Sequence, residues 1–193
     1  MHSQSIPASG FVLRLATMQD LDALNLLIEQ SVRGLQGSDY TPEQMEGALG
    51  HTLGVDTQLI RDSTYFVAVP VAEPSRLAGC GGWSYRRTTF GSDHANERDG
   101  SVLDPARDAA KIRAIFVHPD FARRGLGTVI LQHCEQAAMN AGFRSFEMGS
   151  TLTGVALYSL KGYREQERIE VPLPNGHTLP IVRMTKRAGA EGA

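Results

Sequence analysis

The segment Lys111-Ile112-Arg113-Ala114-Ile115-Phe116-Val117 is an apolar, β-branched run that His118-Pro119 brings to an end. Such a run reads as a strand buried on both faces. Downstream, Leu126, Val129, Ile130, Cys134, Ala137 and Ala141 recur at helical spacing. Gly125 and Gly127 stand where that helix begins. A buried strand therefore feeds a turn, and the turn feeds a long amphipathic helix that opens on two glycines. The first N–H groups of a helix lack internal partners, and the helix dipole is positive there. Glycine adds no Cβ, so a phosphate can approach the bare backbone, and Arg123 and Arg124 add positive charge beside it. The plainer alternative is a helix start whose glycines serve turn geometry alone.

The rest of the chain fits around this unit. Phe11 to Ala16 reads as a strand with Phe11, Leu13 and Leu15 on one face. Thr17 and Asp20 form a capping-box pattern, and Leu21, Leu24, Leu27 and Ile28 predict a helix to about Val32. Thr41-Pro42-Glu43-Gln44 starts a second helix that should run to about His51. Thr64 to Val69 and Leu77 to Arg87 read as strands joined by a turn at Glu73-Pro74-Ser75. Gly79, Gly81 and Gly82 in the second mark a bulge or a close backbone approach. Phe90 to Asp108 has no period and is long for a plain connection. Arg144 to Met148 is a strand and Gly154 to Leu160 a short helix. Tyr163 to Val171 and His177 to Met184 are strands around Asn175-Gly176. Helix crossovers between strands predict an α/β fold, a mixed sheet with helices on both faces.

Composition narrows the function. Nineteen basic and 21 acidic residues leave a net charge of −2, which disfavours a general nucleic-acid partner. The apolar runs are too short to span a membrane, and Met1 to Ser9 lacks the apolar stretch of a signal peptide. Cys80 and Cys134 are too few for a disulfide scaffold and wrongly spaced for zinc, so no metal is expected and a reducing, cytoplasmic setting is. The organisation expected is a disordered N-terminus over 1–9, one domain over 10–186, and a disordered tail over 187–193.

Two phosphate-binding alternatives fail on the residues. A P-loop needs Lys and Ser/Thr after its last glycine, and Thr128-Val129 follow Gly127 here. A dinucleotide fingerprint needs a third glycine where Ile130 stands and glycines directly after the strand, although Glu147 lies near the ribose-binding position. Val117-His118-Pro119 followed by Arg123-Arg124-Gly125-Leu126-Gly127 instead resembles the acyl-CoA signature of the GNAT superfamily of N-acetyltransferases, with Ala122 at the usual Gln/Arg position. Thr151 to Tyr163 resembles that family's Asn-x-x-Ala-x-x-x-Tyr-x-x-x-Gly-Phe segment, with Thr151 for Asn, Gly154 for Ala and Tyr163 for Phe. The element order over Phe11 to Met184 also matches.

The resemblance implies a mostly antiparallel sheet of six or seven strands with one splayed parallel pair, Lys111 to Val117 and Arg144 to Met148. It implies acetyl-CoA as co-substrate, its pantetheine arm pairing with backbone of Ile115, Phe116 and Val117, and its phosphates on Arg123, Arg124, Gly125, Leu126, Gly127 and Thr128. Thr151 would also contact the cofactor. The backbone N–H groups can steady an oxyanion. Tyr158 would protonate the departing thiolate, or else merely pack its helix. Transfer would go by direct attack of a small-molecule or peptide amine in a ternary complex, so neither cysteine need act as nucleophile. Many relatives carry a catalytic Glu on the first splayed strand, where Arg113 and Ala114 offer none; Glu147, Asp93, His94 and a water chain are the alternatives, and His118 reads as a turn residue. Acceptor recognition would fall to Ser31 to Tyr40, to Trp83 and Tyr85 as pocket or core, and to the Phe90 to Asp108 loop, whose Asp93, Glu97, Asp99, Asp104 and Asp108 form either an acidic rim or a solvated surface. An acyl-CoA-binding regulatory module without transfer is the competing reading, and transfer to charged transfer RNA a weaker third. A homodimer is compatible with the sequence.

Overall fold

The computed structural model of the chain describes residues 10–95 and 99–189. The expected disorder at 1–9 and at the end of the tail falls outside them, as do Glu97 and Arg98. β1 (Phe11–Leu15) enters α1 (Leu21–Leu35) through a 3-10 turn at Met18–Asp20. The expected box is present: the Thr17 N–H donates to Asp20 Oδ2 at 2.8 Å. Arg14 grips the same carboxylate with bonds of 2.7 and 2.8 Å and holds it down to about 2. α1 turns Leu24, Leu27, Ile28 and Val32 inward, each burial contributing roughly 1.5–3 kcal/mol.

α2 (Pro42–Ala48) has its box on Thr41 and Gln44. It stops short of His51 because the chain turns through Gly50 at a φ of +76° and the Leu53 N–H returns to the Ala48 carbonyl. α3 (Thr57–Arg61) was not foreseen; five residues are too few for a helical period, and its cap is Asp56, which accepts from Gln58 N–H at 3.0 Å. β2 (Tyr65–Pro70) and β3 (Gly79–Ser84) follow. β3 ends before Arg87 because the Ser84 hydroxyl takes the Arg86 N–H at 3.0 Å and turns the chain away. Then come β4 (Ala110–Val117), α4 (Leu126–Asn140), β5 (Ser145–Thr151), α5 (Leu152–Leu160), β6 (Arg164–Pro172) and β7 (Thr178–Arg187). Arg187, read from sequence as tail, is the last residue of β7.

The seven strands form one mixed sheet in the order β1-β2-β3-β4-β5-β7-β6. Every neighbouring pair is antiparallel except β4 and β5, which are parallel. α1, α2 and α3 cover one face over Tyr65, Val67, Phe116, Leu179 and Ile181. α4 covers the other over Ile112, Phe146, Met148 and Met184. Trp83 belongs to this second core, in edge contact with Phe143 and Tyr85, so it packs the domain.

The glycines of β3 let α4 settle on the sheet. A Cβ on Gly81 would lie 2.4 Å from Ile130 and 2.9 Å from Ile115. Opposite Gly81, β4 carries an extra residue, a bulge that puts Ala114 at a φ of +52°. Gly81→Ala should therefore overpack the core and cost about 1–3 kcal/mol. Urea denaturation checks this, and Gly81→Ala combined with Ile130→Ala, which removes the Cγ2 that the new methyl would meet, should cost less than the two single changes added together.

Candidate active site

β4 and β5 begin side by side and then part. Their register pairs are Ala110 with Phe146 and Lys111 with Glu147. Beyond Lys111, β4 keeps its partner β3 on one side only, through Cys80 opposite Phe116 and Gly79 opposite Val117. The His118 N–H donates to the Ala78 carbonyl on that side at 2.8 Å. Backbone groups alternate sides along a strand, so Phe116 is turned to β3 with His118. Ile115 and Val117 present their N–H and C=O groups to the open edge.

A cleft open to solvent occupies the gap. Ala114, Ile115 and Phe116 line it from β4, Met148 to Thr151 from β5, Tyr158 from α5, and Gln36 from the end of α1. Tyr158 is buried, and burial raises its phenol well above the ordinary range. Its hydroxyl has no hydrogen-bond partner among the described residues. Gly154 makes room for the ring, since a Cβ there would lie 2.6 Å from it. Thr151 caps α5 by position and lines the cleft.

The expected phosphate loop follows β4. His118 is the turn residue the sequence suggested, its Nδ1 accepting the Asp120 N–H at 3.1 Å. Arg123 and Gly125 take positive φ values of 61° and 80°. Gly125 caps α4, and the first turn of the helix closes with the Val129 N–H on the Gly125 carbonyl at 3.1 Å. The N–H groups of Leu126, Gly127 and Thr128 precede that first bond and need an outside partner. Arg123, Arg124 and Gly125 are exposed around them. Open space surrounds the Cβ position of Gly125, while one on Gly127 would touch Leu157 at 3.3 Å.

The cysteines are spent on packing. Cys134 lies in the α4-side core. Cys80 accepts from the Tyr65 hydroxyl at 3.3 Å, and burial pushes its thiol up to about 12. Neither supplies a thiolate near pH 7.

Among the candidate bases, Glu147 pairs with Lys111 at 3.2 Å and Arg183 at 3.5 Å and is not a lining residue of the cleft. Asp93 is bound to the Thr57 N–H and hydroxyl, both at 3.0 Å. The remaining described loop acids serve turns: Asp99 takes the Ser101 N–H, Asp104 the Ala106 N–H, and Asp108 the Asp104 N–H. An acidic rim drawing in cations is thus the poorer description of this loop. Asp99 alone of these reaches a second cavity, with His51, Arg87 and Glu170, that adjoins the cleft at Thr52, Thr89, Phe90 and Gly91.

Sequence reasoning missed Arg113. Its side chain, 3% exposed, bonds Asp56 at 2.8 Å and the carbonyls of Thr88 at 2.9 Å and Gly91 at 2.7 Å. It therefore staples the long loop and the cap of α3 to β4. Arg86 adds a two-point contact to Asp62 and a bond to the Gly100 carbonyl, and the Ser92 hydroxyl bonds the carbonyls of Gly50 and His51. The available signal was an arginine set between Ile112 and Ala114 in a mostly apolar strand, which implies a buried partner.

A parallel pair that opens beside a glycine-led helix start is the arrangement that the family resemblance implied. The model of the acetyltransferase (GNAT) family matches residues 30–163, and the chain belongs to that family and is an acyltransferase. No functionally curated protein matches the sequence. Among solved structures, a GCN5-related N-acetyltransferase from Rhodopseudomonas palustris is similar at a TM-score of 0.67 and 18% identity, over 95% of this chain and 99% of that one. The PaiA N-acetyltransferase of Thermoplasma acidophilum, solved with coenzyme A, gives 0.60 and 12%, over 92% and 98%. N-acetylglutamate synthase of Neisseria gonorrhoeae, solved with coenzyme A and N-acetyl-glutamate, gives 0.57 and 18%, over 94% of this chain and 36% of that one. At these identities the likeness establishes the fold.

Arg113→Met should take the guanidinium from a buried carboxylate and release two loop carbonyls. The expected loss is about 3–5 kcal/mol, the scale for breaking a buried pair, read by urea denaturation. Arg113→Lys keeps the charge but not the fork and should fall between the two.

Proposed function

We propose that this protein transfers an acetyl group from acetyl-CoA to a primary amine by direct attack in a ternary complex. The observation that carries the reading is the released edge of β4. Ile115 and Val117 offer backbone groups that nothing on β5 pairs, and buried backbone groups require partners. An amide-rich pantetheine arm supplies them. The Leu126, Gly127 and Thr128 N–H groups with Arg123 and Arg124 are suited to its phosphates. Phe116, with its backbone turned to β3, contributes its side chain to the wall, and Thr151 sits across the gap.

The chain's own groups then divide the work. The amine nitrogen forms a bond to the acetyl carbon as the carbon–sulfur bond breaks. The thiolate takes its proton from the Tyr158 hydroxyl, which burial keeps protonated at neutral pH. The amine's proton leaves through water, because no carboxylate lines the cleft among the described residues. That same feature is what favours the competing reading, a module that binds acyl-CoA without transfer. Release of free CoA thiol across a panel of amines separates the two. Two buried, unpaired thiols and, among the described residues, no helix long and apolar enough to cross a membrane suit a cytoplasmic setting.

Gly127→Val should place a branched side chain in the phosphate path and abolish acetyl-CoA binding while thermal unfolding shows the fold retained. Unchanged affinity in a calorimetric titration would remove the phosphate site. Tyr158→Phe should lower turnover by about 10²–10⁴, the usual worth of a placed proton donor, with acetyl-CoA affinity little changed. Wild-type turnover would assign the ring to packing.

A further inference from the structure

Gln36 ends α1 on the wall of the cleft, with 5% of its surface exposed. Its backbone is fully used: the N–H bonds the Val32 carbonyl, and the carbonyl takes the Asp39 and Tyr40 N–H groups. Its side-chain amide is not. Oε1 is buried without a hydrogen-bond partner, and Nε2 makes no hydrogen bond to any described residue. Buried polar groups are nearly always paired, and an orphan in a cleft marks a place where something else binds.

The segment after Gln36 is held still. The Tyr40 hydroxyl donates to the Pro180 carbonyl at 2.8 Å and accepts the Leu152 N–H at 2.8 Å. Gln44 bonds the Thr178 carbonyl, and Asn175 bonds the Glu43 carbonyl. An amide on so fixed a support is a positioned recognition group.

The charge around it is informative too. Among the described lining residues of the inner cleft, Arg113 alone is ionised, and it is bound to Asp56. In the adjoining cavity, Arg87 lies 3.9 Å from Asp108, and Glu170 lies 3.8 Å from Arg168 and accepts from Thr178. Asp99 is engaged by Ser101, and His51 contacts the Thr52 hydroxyl at 3.3 Å. Within the inner cleft an alkylammonium would lose its water for no counter-charge, since the carboxylates of Asp99 and Glu170 lie outside it in the adjoining cavity.

We infer that Gln36 selects an acceptor whose reacting amine is weakly basic and lies next to a carbonyl, an α-amino group of a peptide or amino-acid amide, with Oε1 taking an amine N–H and Nε2 donating to the carbonyl. The inference rests on the proposed transfer reaction and names its acceptor class. Both ends of one amide can serve one α-aminoacyl group, and the neutral cleft asks for an amine that arrives uncharged. α-Amines ionise near 7.7–8.0 and alkylamines near 10.4, so near pH 7.5 their neutral fractions differ by a factor on the order of a hundred.

The test measures thiol release from acetyl-CoA at pH 7.5 with alaninamide, with n-butylamine, and with trifluoroethylamine, a weak base without a carbonyl. Alaninamide should exceed n-butylamine in kcat/KM by about a hundredfold, in line with the neutral fractions, and should also exceed trifluoroethylamine. Gln36→Leu should raise the alaninamide KM at least tenfold with acetyl-CoA affinity unchanged. Gln36→Glu should bring a carboxylate to the amine and shift preference toward n-butylamine, which a merely structural Gln36 would not do. Equal use of the amines, or an unchanged KM in Gln36→Leu, overturns the inference. If no amine releases thiol while calorimetry shows acetyl-CoA bound, the transfer reading fails. In that case alaninamide affinity for the CoA-bound protein, compared with n-butylamine and with Gln36→Leu, still decides the role of Gln36.

Discussion

β4 is held by one neighbour and released by the other, and the site depends on that asymmetry. A strand inside a sheet ordinarily spends its N–H and C=O groups on both sides. Here the β5 side has register partners only at Ala110 and Lys111, and the rest of that edge faces a cleft. The bulge opposite Gly81 adds to the divergence, since an extra residue bends a strand and increases its twist. Ala114 is held at positive φ there, a conformation costly for a residue with a Cβ and one that concentrates at functional sites. Glycines at 79 and 81 let Ile130 and Leu126 of α4 pack against the strands just behind the bulge. The same helix presents its N-terminus at the end of β4, so the packing that fixes the bulge also fixes the helix start proposed to receive the phosphates.

The opposite face of β4 carries a different device. Arg113 occupies a strand position where an apolar residue would pack without cost, and its burial makes sense only with Asp56 and the carbonyls of Thr88 and Gly91. Removing a charge from water is expensive unless it is paired and hydrogen-bonded. What the pair supplies is location: it fixes the long loop and the start of α3 above the cleft. Among the described loop carboxylates, Asp99, Asp104 and Asp108 are spent on their own turns and Asp93 on Thr57, so the loop contributes shape more than field. Apart from Arg113, which is bound to Asp56, the inner cleft is lined by uncharged groups, apolar side chains mixed with Gln36 and the hydroxyls of Thr52, Thr89, Ser150 and Thr151, with Tyr158 kept protonated by burial.

Much of this was legible in the sequence where local chemistry is decisive. The capping boxes at Thr17 and Thr41, the helical spacing of Leu24, Leu27 and Ile28, and the strand running into Gly125 and Gly127 each state a local rule that the fold obeys. The parallel pair and the sheet of seven strands followed from the element order and the family resemblance. Long-range partners were not legible. Nothing near Arg113 announces Asp56, which lies 57 residues earlier, and nothing in Trp83-Ser84-Tyr85 tells a core face from a pocket face. α3 is shorter than two helical turns, below what periodicity detects. Gln36 could not be singled out either, because an unspent amide becomes visible only when every neighbour's partner is known.

The central claim is that the released edge of β4 and the first turn of α4 together receive acetyl-CoA. Amide hydrogen exchange on the full chain, with and without saturating acetyl-CoA, tests it at the atoms concerned. The account predicts that the Ile115 and Val117 amides and those of Leu126, Gly127 and Thr128 gain protection together, while Phe116, already turned to β3, changes little. Exchange at Ile115 and Val117 that acetyl-CoA leaves unaltered would contradict it.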